Sequence, residues 1–213
     1  GFNIKNQYQE LQTVYYNSFE KDYIQEYLSI DDLDAYHQLT AEEKNNAVTN
    51  AEKTKIDEII ASDEVQNNTS LTTDEEKKAY AEKVLQNNKA SLQEIAQIKV
   101  AEYYPEIKDS FLWIKNIWRP DKATVSEIAS YNDYKASAGD SSVSEAEYNL
   151  VMGKLLKNYN NTNQTNGYYI LSIIVVAVSL LSQFVMRWSS KPKNKNGEKV
   201  KMQQPGFTKI LMF

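Results

Sequence analysis

Tyr168–Met186, YYILSIIVVAVSLLSQFVM, decides how this chain is read. No charged residue occurs from Asn158 to Met186. Within the quoted stretch only Ser172, Ser179, Ser182, Gln183 and the two leading tyrosines carry polar side-chain atoms. As an α-helix its 19 residues span about 28 Å, close to the ~30 Å hydrocarbon thickness of a bilayer. A buried helix of a soluble core is the competing reading. The rest of the chain is too polar to wrap such a helix: charged residues make up 25% of it and mean hydropathy is −0.61. The stretch therefore reads as a transmembrane helix, and its place near the C-terminal end excludes a cleavable signal peptide.

The flanks give the direction. Residues 187–213 hold Arg187, Lys191, Lys193, Lys195, Lys199, Lys201 and Lys209 against Glu198 alone, a net +6, whereas residues 1–186 carry −11. By the positive-inside rule the basic segment faces the cytoplasm and residues 1–167 face outward. Tyr168 and Tyr169 at one end and Trp188 at the other stand where interfacial aromatic anchors are expected. The start at Gly1-Phe2 and the apolar finish Ile210–Phe213 suggest a piece of a longer, multi-span protein. A processed single-pass protein is the alternative.

Composition removes several function classes. A surface this acidic does not neutralise phosphates, so nucleic acid is not expected as a partner. With no cysteine and a single histidine, His37, thiolate chemistry, a Ser-His-Asp arrangement and a histidine metal site have too few participants. Asp31, Asp32 and Asp34 lack the glycine and closing glutamate of a calcium loop and read as a solvated turn. No catalytic residue, metal or cofactor is expected, and the 15 tyrosines read as helix packing and interfacial anchoring.

The outer region is helical by pattern. Ile4, Tyr8, Leu11, Val14, Tyr15 and Phe19 form one stripe in a helix expected over 3–28. Thr40 with Glu43 has capping-box spacing and opens a helix to about Ala61. Thr73 with Glu76 opens another, which Pro105 should stop near Tyr104; its stripe is Ala81, Leu85, Leu92, Ile95, Ala96, Val100 and Tyr103. Ser144 with Glu147 opens a further one toward Asn160. Residues 135–145 and 158–167 read as flexible linkers by composition. Few prolines and glycines and thin apolar faces indicate a helical hairpin or small bundle.

Two features rise above this background. FLWIKNIWRPD, Phe111–Asp121, places Trp113 and Trp118 in a short amphipathic stretch. It reads as lying at the membrane surface with Lys115 and Arg119 toward headgroups, or else as a small-core segment of the outer domain. Within the span, Ser172, Ser179 and Gln183 share one helix face, with Ser182 about 80° away. They either hydrogen-bond a neighbouring helix or line a wet groove.

These elements, taken in order, resemble the YidC/Oxa/Alb family of membrane protein insertases. Phe111–Ile114 is similar to its extracytoplasmic F-LWI segment and Tyr168–Leu171 to the PYYIL start of its next helix. Gln183 corresponds to the glutamine late in that helix, and Met202–Gln204 with Lys209–Met212 to the MQQ loop and following span. Asn166-Gly167 replaces the usual Asp-Pro, Ser172 replaces the helix proline, and the gap between the first two motifs is greatly enlarged.

The resemblance implies an all-α fold: an extracytoplasmic helical hairpin or bundle, then one transmembrane helix and the start of another. The expected organisation is an insertion over 1–110, an interfacial segment over 111–121 and an outer helix with linker over 122–167. The transmembrane helix follows at 168–186, a basic cytoplasmic loop at 187–205, and the next span begins at 206–213. It also implies a non-covalent insertase activity through a polar intramembrane groove. Implied partners are nascent membrane proteins, the lipid bilayer, the Sec translocon and the remaining helices of the same insertase. The family's groove arginine lies on an earlier helix that these residues do not contain. The alternative from a different class is a single-span surface receptor or adhesion protein with an acidic helical ectodomain.

Overall fold

The structure, a computed structural model, describes residues 3–110, 112, 114–139, 142–161 and 165–189, with the side chains at 160, 161 and 189 excepted. Phe111, Trp113, the residues after 189 and the expected further span at 206–213 lie outside the described residues. Every regular element among the described residues is a helix, and the bridge between Ser126 and Thr165 is isolated. The helices are α1 (Ile4–Phe19), which continues into a π-helical run over Glu20–Tyr27, then α2 (Leu33–Gln38), α3 (Ala41–Ala61) and α4 (Asp63–Gln66). They are followed by α5 (Asp74–Ile107), α6 (Tyr131–Ala138), α7 (Glu145–Asn161) and α8 (Ile170–Ser189).

Local chemistry sets the starts. Asn3, Asp32, Thr40, Thr73 and Ser130 each accept a first-turn amide with their side chains. Both expected capping boxes form, with Glu43 and Glu76 reaching back to the cap backbone. Pro105 does not end α5, which runs on to Ile107. Tyr104 is 1% exposed, and its burial holds the preceding residue helical against the local preference for extended backbone.

Two apolar clusters follow. The larger joins Tyr8, Leu11 and Tyr15 of α1 to Ala96, Val100 and Tyr104 of α5 and Tyr148, Val151, Met152 and Leu155 of α7, with Ile128, Tyr134 and Val143 closing it. The smaller contains Tyr23, Ile24, Leu28, Tyr36 and Leu85. The structure moves part of the expected stripe: Ile95 is 39% exposed and Tyr104, rather than Tyr103, is the fully buried ring. The α3 helix has no buried residue. Phe19 touches both clusters, in a ladder of stacked rings Tyr15, Phe19, Tyr23 and Tyr27 with centroids 5.0–6.0 Å apart. In an α-helix residues four apart diverge by about 40°. The wider π turn reduces that offset for the steps beyond Phe19, while Tyr15 and Phe19 stack within α1 itself.

Both expected linkers need correction. Residues 135–138 belong to α6, and the chain then turns through Gly139 at φ +61° and buries Val143. Residues 158–161 belong to α7, and Asn166 is fully buried. Polar composition signals loops, but helix formation takes in 135–138 and 158–161 and hydrogen bonds hold Asn166, while residues 140, 141 and 162–164 lie outside the described residues.

Candidate functional site

The site is α8 and the knot of chain at its N-terminal end. α8 contains 19 residues, Ile170–Trp188, long and apolar enough to cross a membrane, and none of that window is buried. An apolar helix that the described residues leave exposed is stabilised by an apolar surrounding, such as lipid. Ser172, Ser179 and Gln183 lie exposed on one face of it. Ser179 Oγ donates to the Val175 carbonyl and Ser182 Oγ to the Val178 carbonyl, each at 2.8 Å. Those hydroxyls are satisfied within the helix. The Gln183 amide is the strongest hydrogen-bonding group on the face, and it lies about 18 Å along the axis from Leu171.

The start of α8 is capped from a distance in sequence. Asp121 Oδ1 accepts from the Tyr169 amide at 3.2 Å and Oδ2 from the Leu171 amide at 3.1 Å. A carboxylate here also meets the positive end of the helix dipole. Gly167 makes the approach possible: a Cβ there would sit 1.8 Å from Asp121 Oδ1 and 3.1 Å from its Cα. Tyr169 takes φ +59°, a left-handed turn that directs the chain into the helix.

Asn166 ties the two segments together. Its Oδ1 accepts from the Asn116 amide at 2.7 Å, and its Nδ2 donates to the Arg119 and Pro120 carbonyls at 2.7 and 3.2 Å. Its backbone donates to Val125 O and accepts from Lys115 N. Asn116 Nδ2 in turn reaches Gln7 Oε1, Tyr104 OH and Glu127 O. The fully buried Glu127 accepts from Lys108 at 3.0 Å. The knot is thereby anchored in the large cluster.

The expected anchors divide. Tyr168, Tyr169 and Trp188 are 55%, 44% and 66% exposed at the two ends of α8. Trp118 is half-buried and its indole N–H donates to Asp109 Oδ2 at 3.1 Å. Trp113 lies outside the described residues. Arg119 is corrected: it is buried and donates to Asp133 Oδ2 at 2.8 Å and to Ser126 O, so it does not point at headgroups. Arg119 and the Ser130 hydroxyl and amide hold Asp133 below the usual carboxylate range against the opposing effect of burial. The acidic turn is structural too, because Asp32 caps α2 through the Ala35 amide. His37 pairs with Glu20 at 2.6 Å.

Composition missed Asn166, Gly167 and Asp121 as structural residues. The available signal is an Asn-Gly pair directly before an aromatic helix start, which composition places in the 158–167 linker. Compared with protein-family models, curated proteins and solved structures, the chain matches none.

Proposed function

We propose that this chain is part of a membrane protein insertase of the YidC/Oxa/Alb type, acting without covalent catalysis. One observation supports this reading most. The two motif-bearing segments, about residues 114–121 and 166–171, are some 50 positions apart in sequence, yet they meet at the outer end of the span. The enlarged insertion between them leaves that meeting intact. An insertase lowers the cost of moving polar segments into hydrocarbon, which is ~2–7 kcal/mol for each unpaired polar group. Gln183, with Ser179 and Ser172 on the same face, is the contribution of α8 to a wet groove open toward the cytoplasm. Residues 1–167 face outward, and the basic segment from Arg187 faces the cytoplasm.

A photo-crosslinking side chain placed at position 183 of the intact protein tests the groove. Crosslinks to a nascent membrane protein are expected from 183 and 179, and not from Ile174 or Leu181 on the opposite face. Equal yields from both faces, or none from 183, would remove the assignment. Because the chain has no cysteine, single cysteines also report sidedness. A cysteine at Glu58 should react with an impermeant reagent outside intact cells, and one at Lys195 should not.

The receptor or adhesion reading draws on the acidic arm: residues 20–95 carry a net −10 and α3 buries nothing. Counting membrane crossings in the intact protein separates the two, since a receptor has one and an insertase several.

A further inference from the structure

Near the outer end of α8 several apolar side chains stand exposed. Leu112 is 74% exposed and Ile117 44%, and Tyr168 and Tyr169, just before α8, are 55% and 44% exposed. Ile117 follows Asn116, whose amide is bonded to Asn166, so it sits at the start of the span. Leu112 is three residues from Lys115, which bonds Asn166 O, and so is within about 11 Å of it by chain length.

Leu112 holds φ +54°, a conformation disfavoured for a side chain with a Cβ, and one that persists where surroundings compensate for it. In water its exposed side chain stays hydrated; against lipid that apolar area is removed from water. Charge orients the rest of the chain: the arm over 20–95 carries a net −10 and is repelled from an anionic surface, whereas Lys108 and Arg119 near the start of α8 are neutralised by Glu127 and Asp133.

We propose that Leu112 and Ile117, with Tyr168 and Tyr169, form a lipid-seated foot: a non-spanning apolar contact with the headgroup layer of the leaflet that α8 enters. The Asp121 cap and the Asn166 knot fix this foot to the first turn of α8. Foot and helix end therefore sit at one depth, and the foot sets how far the polar face of α8 reaches into the bilayer.

The foot rests on α8 crossing the membrane, and one experiment keeps the two apart. Single cysteines at Leu112, Ile117, Leu181 and Glu58 of the full chain carry an environment-sensitive fluorophore in phosphatidylcholine–phosphatidylglycerol vesicles. Lipids bearing a quencher at a shallow or a deep position are then added. Blue-shifted emission and loss of intensity to the shallow quencher are expected at 112 and 117, deep quenching at 181, and a water-like signal at 58. Water-like emission at 112 and 117 with position 181 still quenched would overturn the foot and leave the span standing. Water-like emission at 181 as well would overturn both.

Discussion

Asn166 concentrates more hydrogen bonds than any apolar residue near it could replace. Its side chain satisfies one amide and two carbonyls of the 116–120 loop, the bonds to Asn116 and Arg119 buried and that to Pro120 part-buried. Asn166→Leu keeps the approximate volume and leaves those three groups unpaired. The expected loss is about 2–4 kcal/mol of stability, read as a fall in the denaturation midpoint of the full chain in detergent. Gly167 and Asp121 form a coupled pair of the same scale. Gly167→Ala should displace the Asp121 carboxylate and cost at least ~1 kcal/mol, the worth of a helix cap. The same change in an Asp121→Ala background should cost distinctly less, because the clashing carboxylate is gone. Equal costs in the two backgrounds would show that Gly167 matters for another reason.

Helices of this chain differ in how they are held. α1, α5 and α7 contribute interlocking buried side chains to the large cluster. α3 relies instead on its Thr40–Glu43 box and on side chains that stay partly exposed. Its firmest tie is Glu52, which accepts from Tyr23 OH at 2.6 Å and Lys89 Nζ at 2.8 Å. Burial opposes ionisation of Glu52, and those two donors outweigh it, holding the carboxyl below its usual range. Hydrogen exchange should therefore rank the helices. Amides of α3 should exchange well before those of α5 around Ala96–Tyr104, with ~10-fold faster exchange for each 1.4 kcal/mol of difference in opening free energy. Equal protection in α3 and α5 would mean that the arm and the large cluster open as one unit.

At the scale of the whole molecule the core is unusually phenolic. Tyr8, Tyr15, Tyr23, Tyr104 and Tyr148 are each 0–2% exposed. Burial is the main cause that pushes all five hydroxyls well above the ordinary tyrosine range, with nearby acidic groups adding to it at Tyr8, Tyr23 and Tyr104. A group whose folded value is raised stabilises the fold fully below its unfolded value of about 10 and loses that contribution as pH rises further. Cooperative alkaline unfolding is expected above pH ~10, seen as loss of helical circular dichroism together with a step in phenolate absorbance. Gradual phenolate appearance with helicity unchanged would show that water reaches these rings in the folded state. At the acid end, Glu52 and Asp133 have lowered values, so their contribution is present above the unfolded carboxylate range and fades as pH falls through their folded values.

Sequence alone determined the elements that depend on local or one-dimensional chemistry. The span follows from an uncharged apolar run, and the starts of α3 and α5 follow from side chains three residues apart. The all-helical class follows from periodicity with few breakers. Tertiary structure decided what depends on contacts between distant residues. Pro105 lies within α5 because Tyr104 is buried in a core built from three helices. Arg119, reasonable at a headgroup by composition, is turned inward by Asp133 and Ser126. Asn166 and Gly167, polar and small like any linker, become the fixed root of α8 because a loop some 50 residues earlier folds back onto them. A hydrogen bond or a close approach has no periodicity to reveal it, so these residues could be recognised only once the fold had brought their partners together.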